Sequence, residues 1–229
     1  CKENMIKVCN LKDYASVSVA EHVFTLILIL YKQIKGLEKD IQKNIWQKKR
    51  VFALLHRKIN DLQGKSIGII GKGSIGKQVS KIAKAFNMNV IFFSARNINH
   101  TKFKKFLTKN DIISIHCPLE KNTLNLITIK ELKLMKKSSI IINTARGGII
   151  NEKDLVAAIS KKMIAGAGID VATTEPPKKN HPYYSINNKA NFIWTPHTAW
   201  ASDETLNRAV KQLIDNINSF YLNRPKNLV

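Results

Sequence analysis

Six compact apolar runs, most of four to six residues, recur along this chain at 65–70, 90–93, 111–115, 139–143, 164–171 and 191–195. Stretches such as Ser139-Ile140-Ile141-Ile142-Asn143 and Asn191-Phe192-Ile193-Trp194-Thr195 are too short and too rich in β-branched and aromatic residues to be ordinary helices. They read as strands of a parallel sheet buried on both faces. Amphipathic segments separate several of them. Residues 75–86 carry an Ile75/Val79/Ile82/Ala83/Phe86 face, 129–135 forms a short helix, and 154–160 follows Asn151, a natural cap. Residues 203–221 place Leu206, Val210, Leu213, Ile214, Ile217 and Phe220 on one side. Strands alternating with helices predict an α/β chain built on a doubly wound parallel sheet.

The opening third is read differently. A strand end is expected over 5–9. A long helix is expected over 14–35, started by Ser16 or Ser18 with Glu21 completing a capping box, and stopped by Gly36. Residues 37–63 are mixed, with Trp46, Phe52, Leu54 and Leu55 as expected buried anchors.

Bulk properties narrow the function class. The chain has 229 residues and a formal charge of +22, from 38 Lys and Arg against 16 Asp and Glu. The lysines are spread along the sequence, mostly at positions that solvent-facing helix surfaces would occupy. The excess therefore reads as a solvated coat that draws anions toward a cleft, and no nucleic-acid partner is expected. The apolar run from Val23 to Tyr31 is shorter than the ~20 residues a bilayer span requires, so no membrane partner is expected. Cys1, Cys9 and Cys117 make no CxxC pair. Such sparse usage suits a reducing compartment, and a cytoplasmic location is expected. No metal site is expected.

The run at 65–70 leads into Gly71-Lys72-Gly73-Ser74-Ile75-Gly76, a GxGxxG turn between a strand and an amphipathic helix. There the first glycine permits the tight turn, the second admits a pyrophosphate, and the third lets helix and strand pack. A dinucleotide site follows from that context. The next strand ends in Ser94-Ala95-Arg96 with no acidic residue. The cofactor is thus NAD or NADP, and the arginine favours the 2′-phosphate of NADP. Three further side chains, Arg146, Glu175 and His197, each lie just past an apolar run. In open α/β sheets that is where ligands bind. A cation, a carboxylate and an imidazole converging beside a dinucleotide point to hydride transfer on a small carboxylate-bearing substrate.

With these residues in view, the chain resembles the D-isomer-specific 2-hydroxyacid dehydrogenases. The matching stretches are Ser18-Val19-Ala20-Glu21-His22, the block from Gly64 to Gly76, His116-Cys117-Pro118-Leu119 and Asn143-Thr144-Ala145-Arg146-Gly147-Gly148. They continue through Gly168-Ile169-Asp170-Val171, Glu175-Pro176-Pro177 and Pro196-His197. The run from Pro196 to Ser202 is most similar to the glycerate dehydrogenase/hydroxypyruvate reductase branch.

The resemblance implies that Arg146 grips the substrate carboxylate, that His197 is the general acid or base, and that Glu175 orients its ring. It implies that Asp170 binds the nicotinamide carboxamide and that Gly73, Ser74 and Ile75 line the pyrophosphate site. Pro118, Thr123, Thr144 and Ala145 would line the cofactor cleft. His116 and His181 are read as structural, and His22 as packed on its helix.

It further implies a Rossmann-type dinucleotide-binding domain over 13–202, with remnants of a flavodoxin-like substrate domain. Residues 1–12 would end a truncated substrate domain, and 203–229 would return to it as the closing helix. A chain lacking the first part of that domain is expected to bind cofactor but turn over poorly. The helix over 14–35 resembles one used for dimerisation, so a homodimer is expected. The implied substrate is a small D-2-hydroxy or 2-oxo acid, of the glycerate, hydroxypyruvate or glyoxylate kind. An NAD(H)-sensing regulatory protein of the same fold and an inactive fragment stay open as alternatives.

Overall fold

The computed structural model describes residues 1–96 and 98–229. Six strands, β1 (Ser66–Ile70), β2 (Asn89–Phe93), β3 (Ile112–Ile115), β4 (Ile140–Asn143), β5 (Gly166–Ile169) and β6 (Phe192–Trp194), form one sheet in the order β2-β1-β3-β4-β5-β6. Every pairing is parallel. The chain runs from β1 outward to β2 and then returns to β3 on the other side of β1. That reversal opens a crevice above β1 and β3, where ligands settle in such sheets.

Helices cover both faces, as the near-continuous burial of β1, β3, β4 and β5 requires. One face is covered by α1 (Ser16–Tyr31) and α4 (Ser74–Ala85), where Val23, Ile27, Val79 and Ala83 pack on Ile67, Ile69 and Ile142. The glycines of β5 let α1 approach closely. A methyl at Gly168 would stand 2.9 Å from Leu26 Cβ. On the other face lie α5 (His100–Lys109), α6 (Ile129–Leu134) and α7 (Glu152–Ser160). Phe93 of β2 meets Phe103 and Phe106 of α5 at ring-centroid distances of 4.8 and 5.1 Å. The long α8 (Asp203–Tyr221) closes the chain, capped by Ser202.

Helix starts follow local chemistry. Thr128 and Glu131 form a complete capping box on α6, and Asn151 caps α7 by accepting from Asp154 N at 3.1 Å.

The opening third departs from expectation. No strand forms over 5–9. Residues Lys2–Asn4 make a 3-10 turn, and Cys9 alone bridges Leu228, since an isolated segment has no sheet edge to join. The helix expected over 14–35 is two helices. Gln33 adopts a left-handed conformation (φ 56°), and α2 (Ile34–Gln42) then carries Gly36 in its interior rather than past its end, followed by the short α3 (Ile45–Lys49). Ser18 does not cap α1. Its hydroxyl donates to Ala199 O at 2.7 Å; Ser16 is the first residue of α1 rather than its cap, and the N-cap, Ala15, has no side-chain bond to offer. Trp46, Phe52 and Leu55 are exposed, Phe52 almost fully, and only Leu54 is half-buried. Nor is the α8 stripe buried: Leu206, Val210, Leu213, Ile214, Ile217 and Phe220 all face out. The inner contacts of α8 are polar, as Gln212 Nε2 donates to Lys12 O and Asn216 Nδ2 to Asn10 O, both at 3.1 Å.

What holds the segment after α2 in place is an ion pair. Arg57 Nε and Nη2 donate to the two oxygens of Asp40 at 2.5 and 2.8 Å, and His56 Nε2 lies 3.0 Å from the same carboxylate. Hydrogen bonding to the guanidinium holds the Asp40 carboxyl below its ordinary range. A depressed carboxyl stabilises the fold above its unfolded value, near 3.9, and that contribution is lost as pH falls through the folded value. Asp40→Asn is therefore expected to lower the thermal unfolding midpoint at pH 7. The gap from the parent should shrink below about pH 4, which calorimetry at both pH values checks.

Among the described residues, no single helix is long and apolar enough to cross a membrane. Nor, among the described residues, is any cluster of three His, Cys, Asp or Glu placed to hold a metal ion.

Candidate active site

Above the switch point, the GxGxxG turn takes the form its sequence implies. Gly71 has φ +106°, and a methyl there would overlap the His116 carbonyl; one at Gly76 would overlap Gly71 O. Both are packing glycines. Gly73 differs, because a methyl there meets nothing within 4 Å. It is the N-cap of α4, and no side chain caps that helix. The first-turn amides therefore face open space at the positive end of the helix dipole. A second indication comes from Thr144, whose hydroxyl is buried without a hydrogen-bond partner. An uncapped helix start, an open glycine face and an orphaned hydroxyl along one groove fit a dinucleotide.

The groove has two parts. A cavity of about 690 Å³ is bordered by Gly71, Gly73, Ser94, Arg96, Pro118 and Thr123. A second, of about 700 Å³, is bordered by Ser74, Ile75, Thr144, Ala145, Arg146 and His197, with Asp170 and Trp200 also on its wall. The two share His116, Cys117 and Pro118. Burial pushes His116 down to about 3 and Cys117 up to about 11, so the shared wall is uncharged at neutral pH. His116 Nε2 lies 2.8 Å from Ser114 Oγ. Thr123 borders the groove, but its hydroxyl is occupied, donating to Pro118 O at 2.8 Å and accepting from Glu120 N at 2.7 Å. Gly76 lies inside the helix and borders neither cavity.

The three charged side chains come from the ends of β4, β5 and β6. Asn143, the last residue of β4, shapes the first turn. Its Oδ1 accepts from Ala145 N at 3.0 Å, and its Nδ2 donates to Arg146 O at 2.9 Å. Arg146 is exposed on the cleft wall, donates to Ala145 O at 2.6 Å, and has no carboxylate partner among the described residues. Gly147 abuts the next turn so closely that a methyl would overlap the Ala172 backbone. In that turn Glu175 Oε1 accepts from Ala172 N at 2.9 Å, and Glu175 Oε2 lies 2.6 Å from His197 Nδ1. A carboxylate only accepts, so Nδ1 carries the proton and Nε2 is the nitrogen left for exchange. His197 itself is left-handed (φ 56°), fixed by donating its amide to Asp170 O at 2.8 Å.

Asp170 is buried and largely occupied. Oδ1 accepts from Thr195 Oγ1 at 2.5 Å and Thr198 N at 3.0 Å, and Oδ2 from Ala199 N at 2.9 Å. About one acceptor position of roughly four remains for a ligand. Thr195 gives its single proton to Asp170, and His22 Nε2 stands 3.0 Å from the same hydroxyl. His22 must therefore donate; burial lowers its pKa and keeps the ring neutral. From the sequence His22 reads merely as packed on its helix, and Asn143 and Thr195 carry no expected role. Their position at or just before a polar turn closing a strand is the signal that would have found them.

These findings agree with comparisons to known proteins. Residues 24–199 match the family model described as D-isomer specific 2-hydroxyacid dehydrogenase, NAD binding domain. A glycerate dehydrogenase of Methylorubrum extorquens is 38% identical over 229 residues, covering 100% of this chain and 73% of that protein. An acyclic imino acid reductase solved with NADPH and D-Arg superposes with a TM-score of 0.83 at 33% identity, covering 100% of this chain and 72% of its own. A D-lactate dehydrogenase of Aquifex aeolicus, solved with NAD and lactic acid, gives 0.86 at 28% identity, covering 98% and 72%. The chain belongs to the D-isomer specific 2-hydroxyacid dehydrogenases, oxidoreductases of small 2-hydroxy and 2-oxo acids, and carries their NAD-binding domain.

Proposed function

We propose that this enzyme interconverts a small 2-oxo acid and its D-2-hydroxy acid, of the hydroxypyruvate–glycerate or glyoxylate kind, using NADP(H) in preference to NAD(H). The observation that carries the reading is the 2.6 Å Glu175–His197 pair on the same cleft as the guanidinium of Arg146, which has no carboxylate partner among the described residues. Arg146 binds the substrate carboxylate through its fork of N–H donors and draws the adjacent carbonyl oxygen toward the protein. Glu175 holds the His197 ring by Nδ1, so that Nε2 delivers a proton to the carbonyl oxygen in reduction and removes it in oxidation. Gly73, Ser74 and Ile75 offer backbone to the pyrophosphate, and the Thr144 hydroxyl and the last acceptor position of Asp170 serve the nicotinamide end. Bound nicotinamide supplies the hydride to the carbonyl carbon in reduction and takes it back in oxidation. Exposed Trp46, Phe52 and Leu55 give a homodimer apolar surface to bury.

The preference for NADP(H) rests on the end of β2. Ser94 and Arg96 border the nucleotide cavity, no carboxylate follows the strand, and Lys72 adds a second cation 5.5 Å above the Phe92 ring. A charge-assisted bond to a phosphate contributes about 1.5–3 kcal/mol, or at least about tenfold in affinity. Steady-state reduction of hydroxypyruvate and glyoxylate with each cofactor tests both statements. Arg96→Ala should raise the KM for NADPH about tenfold or more and leave that for NADH nearly unchanged. A parent enzyme that prefers NADH would overturn the NADP reading, and one that reduces other 2-oxo acids but neither of these two would overturn the substrate class.

A further inference from the structure

We propose that Glu152 and His181 form a positioning pair that holds Glu175, and through it the His197 ring, in place for proton transfer. This rests on the reading of His197 as proton donor and adds two residues to it. His181 borders neither part of the groove. It is buried among aromatic rings, with centroids 5.3 Å from Trp194 and 4.9 Å from Tyr183. Its Nδ1 accepts from Tyr183 N at 3.3 Å, capping the turn Pro182–Ser185. A ring nitrogen that accepts carries no proton, so the proton lies on Nε2. That nitrogen stands 3.0 Å from Glu152 Oε2 in a close, oblique contact and has no better-aligned partner among the described residues.

Glu152 uses its other oxygen on the catalytic turn. Oε1 accepts from Thr173 N at 2.7 Å, while the neighbouring amide, Ala172 N, goes to Glu175 Oε1 at 2.9 Å. Two carboxylates thus grip consecutive amides of one turn, one from the first residue of α7 and one from the site itself. The far oxygen of the second meets His197 Nδ1. Trp194, on which His181 stacks, borders the same small pocket as Glu175 and His197. Capping does not explain Glu152, because Asn151 already caps α7. His181 is buried and Glu152 partly so; a buried polar ring is costly unless its geometry is used, and here the pair fixes the turn that carries the general acid's partner.

Glu152→Gln tests this, since the amide turns an N–H donor toward either Thr173 N–H or His181 Nε2, where the carboxylate presents an oxygen to each. We expect kcat to fall about 10- to 100-fold, the effect of a small misplacement of a reacting group. The KM for the 2-oxo acid, cofactor affinity and thermal midpoint should stay near the parent's. His181→Phe, which keeps the aromatic packing and removes the donor, should show the same pattern and serves if the first variant does not fold. In a Glu175→Gln background, Glu152→Gln should cost little more, because both act through one group. Full kcat in both single variants, equal losses in both backgrounds, or a loss shared by KM and cofactor affinity would each overturn the pair. Turnover retained in His197→Asn would overturn the underlying reading instead.

Discussion

His197→Asn is expected to lower turnover about 10²- to 10⁴-fold, the range for loss of a positioned general acid, while cofactor affinity and thermal stability stay close to the parent's. Asparagine isolates the chemistry for two reasons. Position 197 sits at φ 56°, a left-handed conformation that asparagine tolerates better than most residues. Its amide nitrogen also falls near the site of Nδ1, where it can still donate to Glu175 Oε2, now 2.6 Å from the ring. The variant then lacks one property, a group able to give and take a proton at the Nε2 position. Steady-state turnover together with cofactor binding followed by nucleotide fluorescence checks it. Turnover within about threefold of the parent would remove the ring from the reaction, because proton transfer by a positioned side chain contributes far more than that.

The parts of this site that were legible in the sequence are those dictated by local chemistry. The six apolar runs became six parallel strands because a two-sided buried sheet is what hides such short, dense apolar segments. The GxGxxG turn and the positions of Arg146, Glu175 and His197 followed from the strand ends. The errors share a different origin. Trp46, Phe52 and Leu55 read as core from the sequence yet are exposed, because composition does not reveal what a side chain packs against. The helix expected over 14–35 was read through Gln33, where the chain turns left-handed without any glycine. Helix α5 was not anticipated, since its lysines at 102, 104, 105 and 109 obscure the Phe103/Phe106/Leu107 face, although Asn99 does cap it. The pairing of Glu152 with His181 was beyond reach as well. The two residues are far apart in the chain, and only the packing of α7 beside the Pro182–Ser185 turn joins them.

Gly73→Val separates the two jobs that glycines perform in the same turn. The backbone at 73 is extended (φ −74°, ψ −172°), a region where a β-branched residue is at ease, and a methyl there touches no protein atom within 4 Å. The thermal midpoint of the free enzyme should therefore change little. The added side chain would instead occupy the space in front of the uncapped α4 amides, where the pyrophosphate must make close backbone contact. Losing two charge-assisted bonds there, each contributing about 1.5–3 kcal/mol, predicts a fall in cofactor affinity of about 100-fold or more. Gly71→Ala is the contrasting case, since its methyl would overlap the His116 carbonyl at φ +106°, and it should lose stability before any ligand is added. Titrating cofactor into both variants, alongside thermal unfolding without it, resolves the two effects. Parental affinity in a folded Gly73→Val enzyme would mean that the phosphates lie elsewhere, and the assignment of the α4 N-terminus would fall with it.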